Sequence, residues 1–141
     1  MYHNDEHYAD PTFAEAYKTI KKEEAKNNGE NFMPWVYIAS PLRGDIEGNI
    51  EKAKGYCRFA ITKNVVPMCP HIYFTLFLND NTEVEHRIGM ILGLQLLKRC
   101  KEVWVFGDTI SEGMANEIKI AEKRGIPVRY FNSKCEEAHK P

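Results

Sequence analysis

One short segment of the chain combines residue types and spacing that suit chemistry: G-D-T-I-S-E-G-M-A-N-E-I-K-I-A, residues 107–121. Ser111 is a good helix N-cap, because its hydroxyl can accept from a free amide two or three residues on. Gly113 lets a ligand come close to the backbone. The first-turn amides and the helix dipole together favour an anion such as a phosphate. On a helical wheel Met114, Ile118 and Ala121 mark the buried stripe, and Gly113 and Glu117 fall beside it, one turn apart. A carboxylate there is partly desolvated and points toward a crevice. The bland alternative is that Ser111 only caps, Gly113 only packs and Glu117 is a solvated helix glutamate.

A second segment is V-Y-I-A-S-P-L-R-G-D, residues 36–45. The turn Ser40, Pro41, Leu42, Arg43 and Gly44 follows an apolar run, and its small residues let ligand atoms reach the backbone. Arg43 can form a bidentate pair with a phosphate or carboxylate. Tyr37 lies within the strand, where a buried hydroxyl needs a partner. His71, after a second apolar run, either faces the crevice or caps a turn. The stretch N-D-N-T-E-V-E-H-R supplies Asp80, Glu83, Glu85, His86 and Arg87. Acids at a helix start usually serve the dipole, but one of these can meet Glu117 as an acid or a sugar ligand. Neither GxGxxG nor a Walker lysine pattern is present, so dinucleotide and P-loop readings fail and no cofactor is expected.

The elements that must position these residues alternate. A helix from Pro11 to about residue 25 shows Phe13, Tyr17 and Ile20 on one face, and residues 27–31 end it as a linker. W-V-Y-I-A-S is a buried strand, followed by a helix from about 46 to 63. V-V-P-M-C-P is a second strand. An irregular or short helical piece (H-I-Y-F-T-L-F-L) and a polar loop at 79–82 lead to a helix over 83–99, with Ile88, Ile91, Leu92, Leu94 and Leu96 among its apolar positions. V-W-V-F-G is a third strand, 111–124 a helix, and I-P-V-R-Y-F a fourth strand. Gly125 suits the left-handed residue just past a helix end. Strands alternating with helices imply right-handed crossovers and a parallel sheet covered on both faces. The expected fold is α/β, a flavodoxin-like or Rossmann-like three-layer sandwich with about four strands in the order 2-1-3-4, plus an N-terminal helix. Residues 1–33 form an arm and helix, 34–132 the domain, and 133–141 a tail. In such sheets the ligand sits beyond the carboxyl ends of the strands where strand order reverses, here between strands one and three.

Bulk properties narrow the partners. A chain of 141 residues with 43% hydrophobic residues suits one domain with one core. The net charge of −1 gives no long-range field for a nucleic-acid backbone, so no polymer is expected, although a free nucleotide needs only a few donors. Cys57, Cys69, Cys100 and Cys135 form no CxxC pair and read as thiols of a reducing compartment. The histidines do not cluster with them. His3 and His7 are spaced i,i+4 in a polar arm, and no metal site is expected. No basic-then-apolar leader and no run of about 20 apolar residues occurs, so a cytoplasmic protein without membrane contact is expected.

Y-I-A-S-P-L near the start, P-H after the second strand, and S-E-G-M-A-N-E followed by G-I-P-V resemble the nucleoside 2-deoxyribosyltransferase-like superfamily. Within it the likeness is to small bacterial and phage proteins of the DUF4406 type, over about residues 35–131. The resemblance implies that Glu117 is the nucleophile, with Tyr37 beside it. It implies that Ser111 meets the 5′ end of the sugar, where a serine goes with 2′-deoxynucleoside monophosphate N-glycosidases and an aspartate with transferases. The superfamily's second acid lies shortly before the third strand; this chain has Cys100-Lys101-Glu102 there instead. Asp80, Glu85 or His71 are then the candidates for protonating the base. The resemblance also implies a homodimer or larger homo-oligomer, with Asn132 reaching into a neighbouring site. Two other functions stay open. One is a catalytically silent nucleotide-binding or sensor module. The other is an interaction domain whose N-terminal helix is the working part.

Overall fold

The structure, a computed structural model, describes residues 11–26 and 33–141. The linker at 27–31 and the His3–His7 pair lie outside those residues. Strand β1 (Trp35–Ala39) is central, with β2 (Val66–Met68) on one side and β3 (Glu102–Phe106) on the other, both parallel to it. Strand β4 (Val128–Phe131) extends the parallel set. The order β2-β1-β3-β4 is the expected one. A fifth strand, β5 (Glu137–Ala138), adds antiparallel to β4. The sequence reading left it in the tail, because a two-residue polar strand carries no apolar pattern.

Strands β1 and β3 are buried on both faces, as a parallel sheet covered by helices requires. Alternate residues of each strand serve different cores. Tyr37, Ala39, Val103 and Val105 meet Leu97 of α4 (Glu83–Leu97) and Met114, Ile118 and Ala121 of α5 (Glu112–Lys123). Val36, Ile38, Trp104 and Phe106 meet Tyr56 and Ala60 of α2 (Ile46–Ile61). On this second face Phe106 stacks on Tyr56 at 4.4 Å and on Phe131 at 4.9 Å, contacts worth about 0.5–1.5 kcal/mol each beyond area burial. The sheet under the crevice is therefore anchored from behind. Helix α1 (Pro11–Lys26) lies against α2, where the Arg58 guanidinium sits 4.1 Å above the Phe13 ring. Ala16, not Tyr17, is the buried residue of α1; Tyr17 is mostly exposed.

Gly125, at φ +71°, follows α5 as expected. Helix α3 (Pro70–Tyr73) starts on Pro70, where proline loses nothing because a first-turn amide has no partner, and a 3-10 turn over Phe74–Leu76 continues it. Only Gly93 and Leu97 of α4 are buried, while Ile88, Ile91 and Leu92 face outward. The helix is apolar nearly all round, so its sequence did not reveal which side meets the sheet. The four cysteines are free thiols. Among the described residues no helix is long and apolar enough to cross a membrane. Among the same residues no group of three or more His, Cys, Asp or Glu is placed to hold a metal ion.

Candidate active site

A crevice of about 870 Å³ opens beyond the carboxyl ends of β1 and β3, where the crossovers diverge. Its lining comes from four places: β1 with its loop, α3 and the turn after it, the inner side of α4, and the start of α5. The β1 loop is fixed from below. Asp45 caps α2 by accepting from the Gly48 amide at 3.1 Å, and the Asn49 side chain donates to the carbonyls of Leu42 (3.0 Å) and Arg43 (3.2 Å). Ser111 caps α5, accepting from the Met114 amide at 3.2 Å, as its type predicted. Ser111 and Gly113 both line the crevice, and a Cβ added at Gly113 would meet nothing within 4 Å. The first-turn amides of α5 are thus approachable.

The floor of the crevice is a tyrosine–carboxylate pair. The Tyr37 hydroxyl donates a hydrogen bond to Glu117 Oε2, joining residues 80 positions apart. Glu117 is 9% exposed, and burial pushes its carboxyl up to about 7, partly offset by the Tyr37 hydrogen bond. Burial, and then the Glu117 charge beside it, hold the Tyr37 hydroxyl well above its ordinary value, so it remains a donor. Among the described residues the hydrogen bond to this buried carboxyl comes from Tyr37, and no ion pair reaches it.

The remaining candidates divide. Pro41, Leu42, Arg43, His71 and Met114 line the crevice. Ser40 and Gly44 do not: Ser40 is buried, offering its carbonyl to His71 Nε2 at 2.7 Å, and Gly44 serves the turn with φ +99°. That bond places the proton on Nε2, and burial lowers the His71 imidazole below its ordinary value. The guanidinium of Arg43 turns to acids rather than standing free for an anion: its Nε lies 3.5 Å from Asp80 Oδ2 and a terminal nitrogen 3.8 Å from Glu83. Glu85 closes the start of α4, accepting from the Asn79 amide at 3.0 Å and from the Thr82 hydroxyl at 3.2 Å. Asp80 instead bonds His86 Nδ1 at 2.8 Å. Asn132 is not in the crevice. Its amide holds the β4–β5 turn, donating to Glu136 Oε1 and accepting from the amides of Lys134 and Glu136, each at 2.9 Å.

On the α4 side of the crevice the sequence pointed to Glu83, Glu85 and His86 but not to Gly89, Met90 and Gly93. Residues His86, Gly89, Met90 and Gly93 line it, spaced three and four apart along one stripe. The carboxylates that α4 brings to the crevice, Glu83 and Glu85, stand in its first turn, and none lies between His86 and Gly93. A Cβ at Gly93 would lie 3.3 Å from the Tyr37 hydroxyl and 3.6 Å from Pro70. Gly93→Ala gains about 1 kcal/mol in helix propensity and loses a similar amount to crowding. Unfolding in denaturant is therefore expected to stay within about 1 kcal/mol of wild type, whereas turnover is expected to fall about tenfold as the hydroxyl is displaced from Glu117. Unchanged turnover would show that Gly93 does not position the tyrosine.

No curated protein matches the chain. Among solved structures, the fold is similar to a 2-deoxyribosyltransferase from the psychrotolerant bacterium Bacillus psychrosaccharolyticus, at a TM-score of 0.53 and 18% identity, covering 74% of this chain and 77% of that one. The chain therefore has a deoxyribosyltransferase-like α/β fold. Its family is not the DUF4406 type that the motifs suggested. The model of the Domain of unknown function (DUF7768) matches residues 34–131, and the chain belongs to that family.

Proposed function

We propose that this protein cleaves the N-glycosidic bond of a nucleotide or nucleoside, with Glu117 as the nucleophile. The observation that carries the reading is the buried Glu117 carboxyl, bonded by Tyr37, on the floor of the crevice at the switch point of the sheet. The Glu117 carboxylate attacks the anomeric carbon as the bond from that carbon to the base nitrogen breaks, and the base leaves with the electron pair. Water then opens the glycosyl ester, or a second base accepts the sugar. Tyr37 keeps the carboxylate oriented and offsets part of its desolvation. A 5′-phosphate fits the approachable amides of Ser111–Gly113 at the start of α5. Release of free base from 2′-deoxynucleoside 5′-monophosphates, against the matching nucleosides, tests the reading by chromatography. No release from either set after prolonged incubation would leave nucleotide binding as the function. The lack of a carboxylate on α4 between His86 and Gly93, the stretch nearest Tyr37, favours that second reading.

A second copy of the chain is the proposed occupant of the outer face of α4. Val84, Ile88, Ile91 and Leu92 are exposed on α4, Val84 at 70% and Ile91 at 60%, and Tyr73, Leu76 and Phe77 are exposed shortly before it in the chain. A patch this concentrated is unusual on a monomer, and a helix face can pair with its own copy about a twofold axis. The patch also adjoins the crevice mouth, so a second copy would wall the site. Ile88→Glu with Ile91→Glu is expected to turn a dimer into a monomer in sedimentation, without loss of helix content. A wild-type chain that sediments as a monomer would remove this proposal.

A further inference from the structure

Glu117 and Tyr37 leave one step unserved. As the bond to the sugar breaks, the base nitrogen receives an electron pair and needs a proton. The crevice lining holds few groups to give it. His71 commits its Nε2 proton to the Ser40 carbonyl. Glu85 is occupied by Asn79 and Thr82. Glu83 is fully exposed and paired with Arg87 at 3.0 Å, which lowers its carboxyl below the ordinary value. Glu112 is exposed on the first turn of α5. Asp80 is ion-paired, with Oδ1 bonded to His86 at 2.8 Å and Oδ2, which is buried without a hydrogen bond, 3.5 Å from the Arg43 guanidinium.

His86 remains. It lies on the α4 stripe that lines the crevice, two turns before Gly93, and its side chain is 21% exposed. A carboxylate on Nδ1 fixes the tautomer and the ring orientation and leaves Nε2 as the exchanging nitrogen. The acid–histidine pair is itself held in place: Arg43 reaches it from the loop after β1, and Glu83 and Arg87 flank it on α4. The His71 imidazole on α3 feels the charge of both its members.

We propose that His86, positioned by Asp80, is the proton donor to the departing base, an inference that rests on the N-glycosidase reading of Glu117. Protonated His86 gives its Nε2 proton to the base nitrogen as the bond from that nitrogen to the sugar breaks, and the electron pair of that bond stays with the base. The Glu117 oxygen takes the anomeric carbon. Neutral His86 then accepts a proton from the water that opens the glycosyl ester, which restores both side chains. The imidazole thus serves as the acid from α4, whose residue nearest the Tyr37 hydroxyl is Gly93.

The test compares 2′-deoxyguanosine 5′-monophosphate with its N7-methylated derivative, whose base leaves neutral without an added proton. In the full chain, His86→Gln is expected to lower kcat/KM for the unmethylated nucleotide by about 100-fold or more. Release of N7-methylguanine, above its spontaneous background, should stay within a few-fold of wild type. Asp80→Asn should show the same pattern with a smaller loss. Added imidazole should restore release in His86→Ala, which also shows that this variant is folded. Equal losses on both nucleotides, or an unchanged rate on the first, would overturn the assignment of His86 while leaving Glu117-dependent cleavage intact. A wild-type chain that releases neither base would overturn the N-glycosidase reading and this inference with it.

Discussion

Glu117→Gln is expected to reduce base release by on the order of 10³-fold or more, with nucleotide affinity nearly unchanged. The substitution keeps the size of the side chain and an oxygen that can accept from Tyr37, so the floor of the crevice is preserved. What it removes is the lone nucleophilic oxygen, and nothing else in the lining is placed beside Tyr37 to replace it. Product chromatography and calorimetry read the two quantities separately. A variant that keeps more than a tenth of the wild-type rate would place the nucleophile elsewhere. The wild-type rate carries a second mark of the same residue. Only ionised Glu117 attacks, and burial has raised its carboxyl to about 7, so the rate should climb as pH rises through that value rather than near 4.5.

The same substitution is expected to stabilise the protein, and only at neutral to alkaline pH. The Glu117 carboxyl moves from 4.5 to about 7 on folding, so the folded state holds its proton more tightly than the unfolded chain does. Stability therefore falls as pH rises from about 4.5 to about 7 and stays low above that. The difference corresponds to about 3 kcal/mol at pH 8, or on the order of 10 °C in Tm for a domain of this size. Below pH 4.5 the glutamic acid is neutral in both states, and wild type and Glu117→Gln should unfold alike. Denaturant unfolding at pH 4.5 and pH 8 decides the matter. An identical difference at both values would mean that Glu117 titrates as an ordinary surface glutamate. The two predictions together describe a site that lowers stability to keep a reactive group poorly solvated.

Much of this site was legible in local sequence because its parts are local. Ser111 as a cap, Met114, Ile118 and Ala121 as a stripe, and Glu117 beside that stripe follow from helical geometry alone. The strand order followed from the alternation of apolar runs with helices, and with it the location of the crevice. Side-chain commitments were not legible. Arg43 looked free for an anion, and Glu85 looked available as an acid. Each is instead bonded to groups in the loop and helix start at 79–85. Asn132 looked able to reach outward, yet its three bonds stay within its own turn. Helix α4 was the hardest element to read. A helix rich in apolar residues carries little phase, so its sequence named apolar positions without saying that Ile88, Ile91 and Leu92 face outward.

The sequence by itself determined the alternating α/β architecture, the capped start of α5 and the presence of a carboxylate at its inner edge, because each depends on periodicity and caps within about 15 residues. Only the tertiary structure decided what that carboxylate is. Its burial, its hydrogen bond from a strand 80 residues away and the glycine that admits the Tyr37 hydroxyl all arise from packing between distant segments. Desolvation has no signature in a linear pattern, and here desolvation turns a common helix glutamate into a candidate nucleophile.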